Sequence, residues 1–320
     1  MGECMILRRN GAYTGTMAGQ PLGFKAVSNR IGTIDLSWTT VPEDTAYAAL
    51  RVVRRDDRFP KDEYDGKVIY EGPDSSCTDE GLTPGATYYY RAFARSKDGV
   101  YQNSYCQVTG TVRETQPLIL MKVGDIVRIK ENDAWQEYVV AHQGYPHRVG
   151  GNTLLLRRDV AGRRAIASTM QNEYNGSMAD SWLSGAFLPT VDSAVSAKIP
   201  TCQIPYTGGG EHAPGYLQRQ VFLLSATELG GGEAGMGTEG TLVDLFQTDE
   251  WRISNFQGAP YLWATRSPDT RGANQFWTVD TAGTFASKTV ITTCGMRPAF
   301  TLPGDAFVVD MEGHLLEATL

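Results

Sequence analysis

Hydrophobic and polar positions alternate in short runs along the first third of the chain. In IGTIDLSWTT, Ile34, Leu36 and Trp38 share one face, the period of two that marks a half-buried strand. AALRVVRRDD and GKVIYEG read as further strands. Thr83-Pro84-Gly85 makes a turn, after which Tyr88, Tyr90 and Phe93 lie on a long strand. A Gly-rich leader over residues 1–19 reads as flexible, a candidate attachment or oligomerisation segment.

The pattern changes near residue 116, where VRETQPLILMKVGD reads as a linker into a second domain. Ile126, Val127, Ile129 and then Tyr138, Val139, Val140 form two apolar runs about Asn132-Asp133, which predicts a hairpin. NTLLLRRDVAGRRAIAS predicts a second hairpin about Ala161-Gly162. Ser177 and Asp180 start a helix in capping-box fashion; Trp182, Leu183, Ala186 and Phe187 give it an apolar face and Pro189 ends it. TVDSAVSAKI predicts a short second helix, and QVFLLSATELG a buried strand running into a turn. TGGGEHAPG and LGGGEAGMGTEG lack phosphate-loop spacing and read as long flexible loops.

Composition narrows the function classes. The chain has 320 residues, 41% hydrophobic and 20% charged, enough for two globular domains with their own cores. A net charge of -7 argues against nucleic-acid binding, which needs a basic face. The start carries no apolar stretch of secretory length, and the longest apolar runs are too short to span a bilayer. Synthesis in the cytoplasm without membrane insertion is therefore expected. Cys4, Cys77, Cys106, Cys202 and Cys294 are scattered, without zinc-site or disulfide-framework spacing, and read as isolated reduced thiols.

Candidate chemistry is sparse. His142 and His147 stand five apart without a carboxylate at ligand spacing, and with His212 and His314 they read as surface or loop residues. NGSMA and LSGAF do not form a nucleophile elbow. No catalytic residue, metal site or cofactor is expected, and the protein reads as a non-enzyme.

Two resemblances add to this reading. Trp38, Leu82, the Thr83-Pro84-Gly85 turn and Tyr88, which suggest a tyrosine corner, make residues 20–112 resemble a fibronectin type III module. That resemblance implies a seven-stranded antiparallel sandwich serving as a spacer, with Trp38 and Tyr88 structural; no Arg-Gly-Asp loop occurs. Farther on, NEYNGSMADSWLSGAFL, VFLLSATEL, YLWATRSP, FWTVDTAG and GMRPAFTLP resemble an uncharacterised bacterial and prophage family. The Trp-x-x-Arg-Ser and Gly-x-Arg-Pro-Ala frame is similar to C-type-lectin-like domains of phage tail-tip and tropism-determinant proteins. It also resembles targets of diversity-generating retroelements and the formylglycine-generating fold.

The implied fold class is multidomain: an all-β fibronectin type III-like sandwich followed by an α+β C-type-lectin-like domain over residues 113–320. The paired cysteines of the oxidase class are not evident, since Cys294 has no partner near in sequence, although Cys202 could approach it in space. The Glu-Pro-Asn, Gln-Pro-Asp and Trp-Asn-Asp signatures of calcium-dependent lectins are absent.

Taken together, the modules resemble a phage or prophage tail-fibre component that recognises the host surface through its C-terminal domain. The implied partners are a host cell-surface glycan or protein receptor, other virion tail proteins and further copies of the chain, as a trimer. The implied location is the virion tail, assembled in the host cytoplasm and extracellular after release. A structural virion component and a glycan-modifying or formylglycine-generating-like enzyme are the alternatives. The expected contact surface is YLWATRSPDTRGANQFWTV. There Tyr261, Trp263, Asp269, Thr270, Arg271, Asn274 and Gln275 are the candidate receptor-binding residues, the last five in a loop that can face outward. Trp182, Arg266, Trp277 and Arg297 are expected to be structural; Trp263 and Phe276 also read as scaffold.

Overall fold

In a computed structural model the structure describes residues 21–39, 47–146, 151–209, 212–310 and 312–315, with a two-residue strand at Cys4–Met5. The chain divides into two compact units, Met1–Gln116 and Pro117–Leu320. Among the described residues no helix is long and apolar enough to cross a membrane.

The first unit is a two-sheet antiparallel sandwich. Its strands are β1 (Cys4–Met5), β2 (Leu22–Val27), β3 (Thr33–Thr39), β4 (Tyr47–Arg55), β5 (Lys67–Gly72), β6 (Ser76–Glu80), β7 (Thr87–Ser96) and β8 (Tyr101–Thr111). One sheet has the order β1-β8-β7-β4-β5 and the other β2-β3-β6. Part of the expected leader thus belongs to the sandwich: Cys4 pairs with Cys106 and Met5 with Tyr105. The rest of residues 1–19, and with it the proposed oligomerisation segment, lies outside the described residues.

Alternation on β3 buries Ile34, Leu36 and Trp38 against Leu50, Val52 and Tyr90. Each such side chain contributes roughly 1.5–3 kcal/mol of burial. The Tyr88 hydroxyl accepts from the Thr83 N–H at 3.0 Å, closing the corner that the sequence suggests. The two sheets are also tied by charge. Asp79 on β6, 3% exposed, accepts from Arg54 Nη1 at 2.9 Å and from the Tyr90 hydroxyl at 2.9 Å. The segment after β8 stays with this unit: the Gln116 side chain accepts from the Ile31 N–H at 3.0 Å.

The second unit is mostly β. In chain order it contains β9 (Ile126–Glu131), β10 (Ala134–Tyr145), β11 (Asn152–Arg157), β12 (Gly162–Arg164), α1 (Met178–Trp182), α2 (Ser193–Ser196), β13 (Cys202–Thr207) and β14 (Pro214–Arg219). There follow β15 (Val221–Phe222), β16 (Asn255–Phe256), β17 (Ala259–Pro260), β18 (Trp263–Pro268), β19 (Gln275–Val279), β20 (Phe285–Thr289), β21 (Cys294–Met296) and β22 (Ala299–Leu302). Two five-stranded sheets, β9-β10-β11-β22-β15 and β12-β21-β18-β19-β20, share the core; β13-β14 and β16-β17 are separate ribbons. Phe222, Leu224, Val243, Phe246 and Trp263 sit at the centre of that core.

The hairpin at Asn132-Asp133 forms, with φ of 46° and 62°, the left-handed pair that a two-residue turn demands. The hairpin expected about Ala161-Gly162 does not form. β11 is buried on both faces between β10 and β22, while β12 crosses to the other sheet and pairs with β21. A strand buried on both sides loses the alternation that would reveal its neighbours.

Ser177 caps α1 through the Asp180 N–H at 3.1 Å. The reciprocal contact differs from a capping box: Asp180 accepts from the Gly176 N–H at 2.9 Å. The chain then continues through a wider π-type turn at Leu183–Phe187 and a tight 3₁₀ turn at Leu188–Thr190. Pro189 opens that last turn rather than ending the helix at once.

Candidate functional site

The strand WATRSP (β18) is the spine of the candidate region, and all six of its residues are buried. Trp263, expected among the contact residues, is fully buried and cannot touch a partner. Its indole N–H donates to the Arg252 carbonyl at 2.8 Å, and the Arg297 guanidinium covers its ring at 5.0 Å. Arg297 in turn donates to the Arg157 and Trp251 carbonyls at 2.9 and 2.8 Å, so it ties separate segments together as a scaffold residue. Burial lowers its pKa to about 9.

Arg266 is fully buried and anchors a polar network. It donates to the Pro205 and Leu223 carbonyls and to Glu228 Oε2, each at 2.8 Å. Glu228 also accepts from the Tyr145 hydroxyl at 2.7 Å and the Ser225 N–H at 3.0 Å. A second buried acid, Glu239, accepts from the Thr207 N–H at 2.7 Å and from the Ser267 hydroxyl. Burial pushes the Glu239 carboxyl upward. Both glutamates were invisible as partners in the sequence, because each lies within a turn or Gly-rich tract. Their only signal is an acid in an otherwise apolar or glycine context.

Beyond β18 the chain turns through residues 269–275 before β19. Asp269, expected to face outward, is fully buried. Its carboxylate accepts from Arg271 Nη2 at 2.7 Å, the Arg271 N–H at 3.0 Å and the Ser287 hydroxyl at 2.6 Å. The Arg271 contacts hold its pKa down at about 2. Arg271 itself is 54% exposed and lies over the Trp277 ring at 5.2 Å. Thr270, Asn274 and Gln275 are half-buried at the same turn.

Asn172, which sequence reasoning missed, fixes this turn from below. Its side-chain amide donates to the carbonyls of Asp269, Gly272 and Gln275 at 3.1, 2.8 and 3.1 Å. Its backbone N–H donates to the Ala273 carbonyl at 2.8 Å. The second Gly-rich tract, expected to be a flexible loop, packs here as well. The Gly235 carbonyl accepts from the Thr270 N–H at 2.9 Å and from the Trp277 indole at 3.1 Å. Gly235 has φ +94°, and a Cβ there would stand 2.6 Å from Asp269 Oδ1 and Arg271 Nε, so close approach demands glycine.

Tyr261 belongs to a different face. It lies at the start of β18, with Phe256 at 5.7 Å and the Arg163 guanidinium at 5.7 Å. The six residues of β18 lie between it and Arg271 along the chain. The expected contact set is therefore split between two ends of one buried strand.

Trp182 is half-buried beneath the Arg164 guanidinium at 4.3 Å, and Trp277 is buried. Cys202 meets the Thr301 hydroxyl at 3.0 Å and Cys294 the Arg164 carbonyl at 3.6 Å, both as free thiols, so the pair does not come together. Burial pushes the Cys294 thiol up to about 12. His142, expected at the surface, is buried on β10 with Nδ1 2.9 Å from Asp244. His314 sits 2.6 Å from Asp310, and His147 lies outside the described residues. A polar cleft of about 330 Å³ opens elsewhere, floored by the Asp180–Arg219 pair and lined by Ser181, Ser184 and Thr201.

The fold and site define a β-sandwich unit joined to a mostly β unit with a hydrogen-bonded polar turn at its surface. A family described as a domain of unknown function (DUF6273) matches residues 150–304, just under half of the chain and all within the second unit. Over about a third of its length the chain is similar to solved fibronectin type III domains. One is the sixth such domain of human fibronectin type III domain containing protein 3, at 20% identity over 32% of this chain and 93% of that one, with a TM-score of 0.26. Another is the FN5 domain of Drosophila Lar, at 14% identity over 30% and 98%, with a TM-score of 0.22.

Proposed function

We propose that the protein is a non-catalytic recognition component whose second unit, C-type-lectin-like in fold, contacts a cell-surface glycan or protein receptor. In this reading the sandwich is a spacer, and the whole is a tail-fibre part of a phage or prophage-derived particle. It would assemble as a homo-oligomer with other tail proteins.

The observation that carries the reading is the construction of the 269–275 turn. Buried Asn172 and Asp269 hold its backbone, so the ordering cost of a binding loop is met before a ligand arrives. Arg271 presents a guanidinium stacked on Trp277, with half-buried Asn274 and Gln275 beside it. Stacked arginine and short polar side chains on a rigid base are what adaptable recognition surfaces use.

Adhesion of the full chain to candidate host cells tests the proposal. The wild type should bind saturably. Arg271→Ala and Asn274→Ala should weaken adhesion at least tenfold in protein that remains folded, Arg271→Ala with a lower melting temperature because buried Asp269 loses its charge partner; equal adhesion by folded variants would overturn the proposal. Trp263 is unsuitable for such a test, because its replacement would empty the core.

A further inference from the structure

In Pro117–Leu320, the described arginines other than Arg163 and Arg164 meet a carboxylate or a backbone carbonyl. Arg164 is half-buried over Trp182. Arg163 is exposed, and among the described residues aromatic rings alone hold its guanidinium: Phe256 at 4.7 Å and Tyr261 at 5.7 Å. The two rings stand 5.7 Å apart and tilted by 51°. An arginine stacked in this way keeps its fork of N–H donors for a planar oxyanion, and it loses little freedom when one binds.

The surroundings are fixed in place. The β16-β17 ribbon turns through Gln257 and Gly258, whose φ values of 52° and 82° are those of a tight two-residue hairpin. The ribbon is tied down by the Val160 N–H to the Asn255 carbonyl at 2.9 Å and by the Tyr261 N–H to the Ser254 carbonyl at 2.9 Å. Residues 257–260 are all exposed beside the rings. The result is an open platform of two half-buried aromatic rings, one a phenol, and a cation with no acidic partner among the described residues.

We propose that Arg163, Phe256 and Tyr261 form a second binding face that takes the carboxylate of an acidic sugar residue in a surface polysaccharide. The guanidinium receives the carboxylate in bidentate fashion, and the aromatic rings receive the apolar C–H face of the sugar. An open platform suits one unit of a long chain. The whole of β18 lies between this face and Arg271, and a polymer can reach both. The choice of a glycan rests on the recognition role proposed above, whereas the unpaired guanidinium is independent of it.

Titration of the isotope-labelled full chain by NMR tests the assignment, with tetragalacturonate, uncharged maltotetraose and inorganic phosphate as probes. Tetragalacturonate should give saturable shifts at Arg163 Nε, Gly258 and Tyr261. Binding should weaken at least tenfold in Arg163→Gln and severalfold in Arg163→Lys, and persist in Arg158→Gln, where a paired surface arginine is lost. Absence of saturation, equal binding by Arg163→Gln or maltotetraose, or phosphate binding as tightly as the tetramer would overturn it. Purified components report on Arg163 alone, so failure here with intact Arg271-dependent adhesion would remove this face and leave the first proposal standing.

Discussion

Asn172 shows how much one side chain can carry. Its amide satisfies three carbonyls of the 269–275 turn from a fully buried position. Asn172→Ala should cost roughly 1.5–4.5 kcal/mol, at about 0.5–1.5 kcal/mol for each of the three hydrogen bonds lost, read as a lower urea midpoint. A change below 0.5 kcal/mol would mean the turn holds itself. Glu239 gives a prediction of pH dependence. Burial raises its folded pKa above the ordinary value of 4.5, so the fold favours the protonated acid. Its contribution is then fully present below pH 4.5 and lost as pH rises through the folded pKa. Glu239→Gln cannot ionise and should flatten that fall, making the variant the more stable form at pH 8; urea melts at pH 4 and pH 8 that keep the wild-type difference would refute this.

At the scale of elements, legibility followed alternation and turn chemistry. β3 shows its pattern because one face is buried and the other wet, and Asn132-Asp133 shows its hairpin because few residues accept positive φ. The tyrosine corner was equally readable, and Tyr88→Phe should cost about 1 kcal/mol by removing its bond to the Thr83 N–H, without changing the secondary structure seen by circular dichroism. The partners of β11 are not legible from its sequence, because burial on both faces erases periodicity. The candidate site was half legible. Residues 269–275 stood out by composition, but nothing local distinguishes buried Asp269 from its exposed neighbour Arg271. That difference is set by Asn172, Gly235 and Ser287, which are distant in sequence. Tyr261 is near Arg271 in sequence yet at the far end of an extended strand, a separation that only the strand assignment reveals.

For the whole molecule, the polar network around Arg266 sets what can be altered safely. Its guanidinium joins β13, the segment after β15 and Glu228, so Arg266→Met should cost roughly 3–5 kcal/mol by leaving Glu228 buried and uncompensated. Calorimetry of that variant should show the second unit melting well below the wild-type temperature. Arg271 lies outside this network but pairs with buried Asp269, so Arg271→Ala should also lower stability, whereas the Asn274 side chain is half-buried at the same turn and gives the cleaner test of function. Adhesion to candidate host cells is therefore the most direct test of the recognition role. Arg271→Ala and Asn274→Ala, each assayed below its own melting temperature, should adhere at least tenfold more weakly than the wild type, and undiminished adhesion by both folded variants would contradict the account.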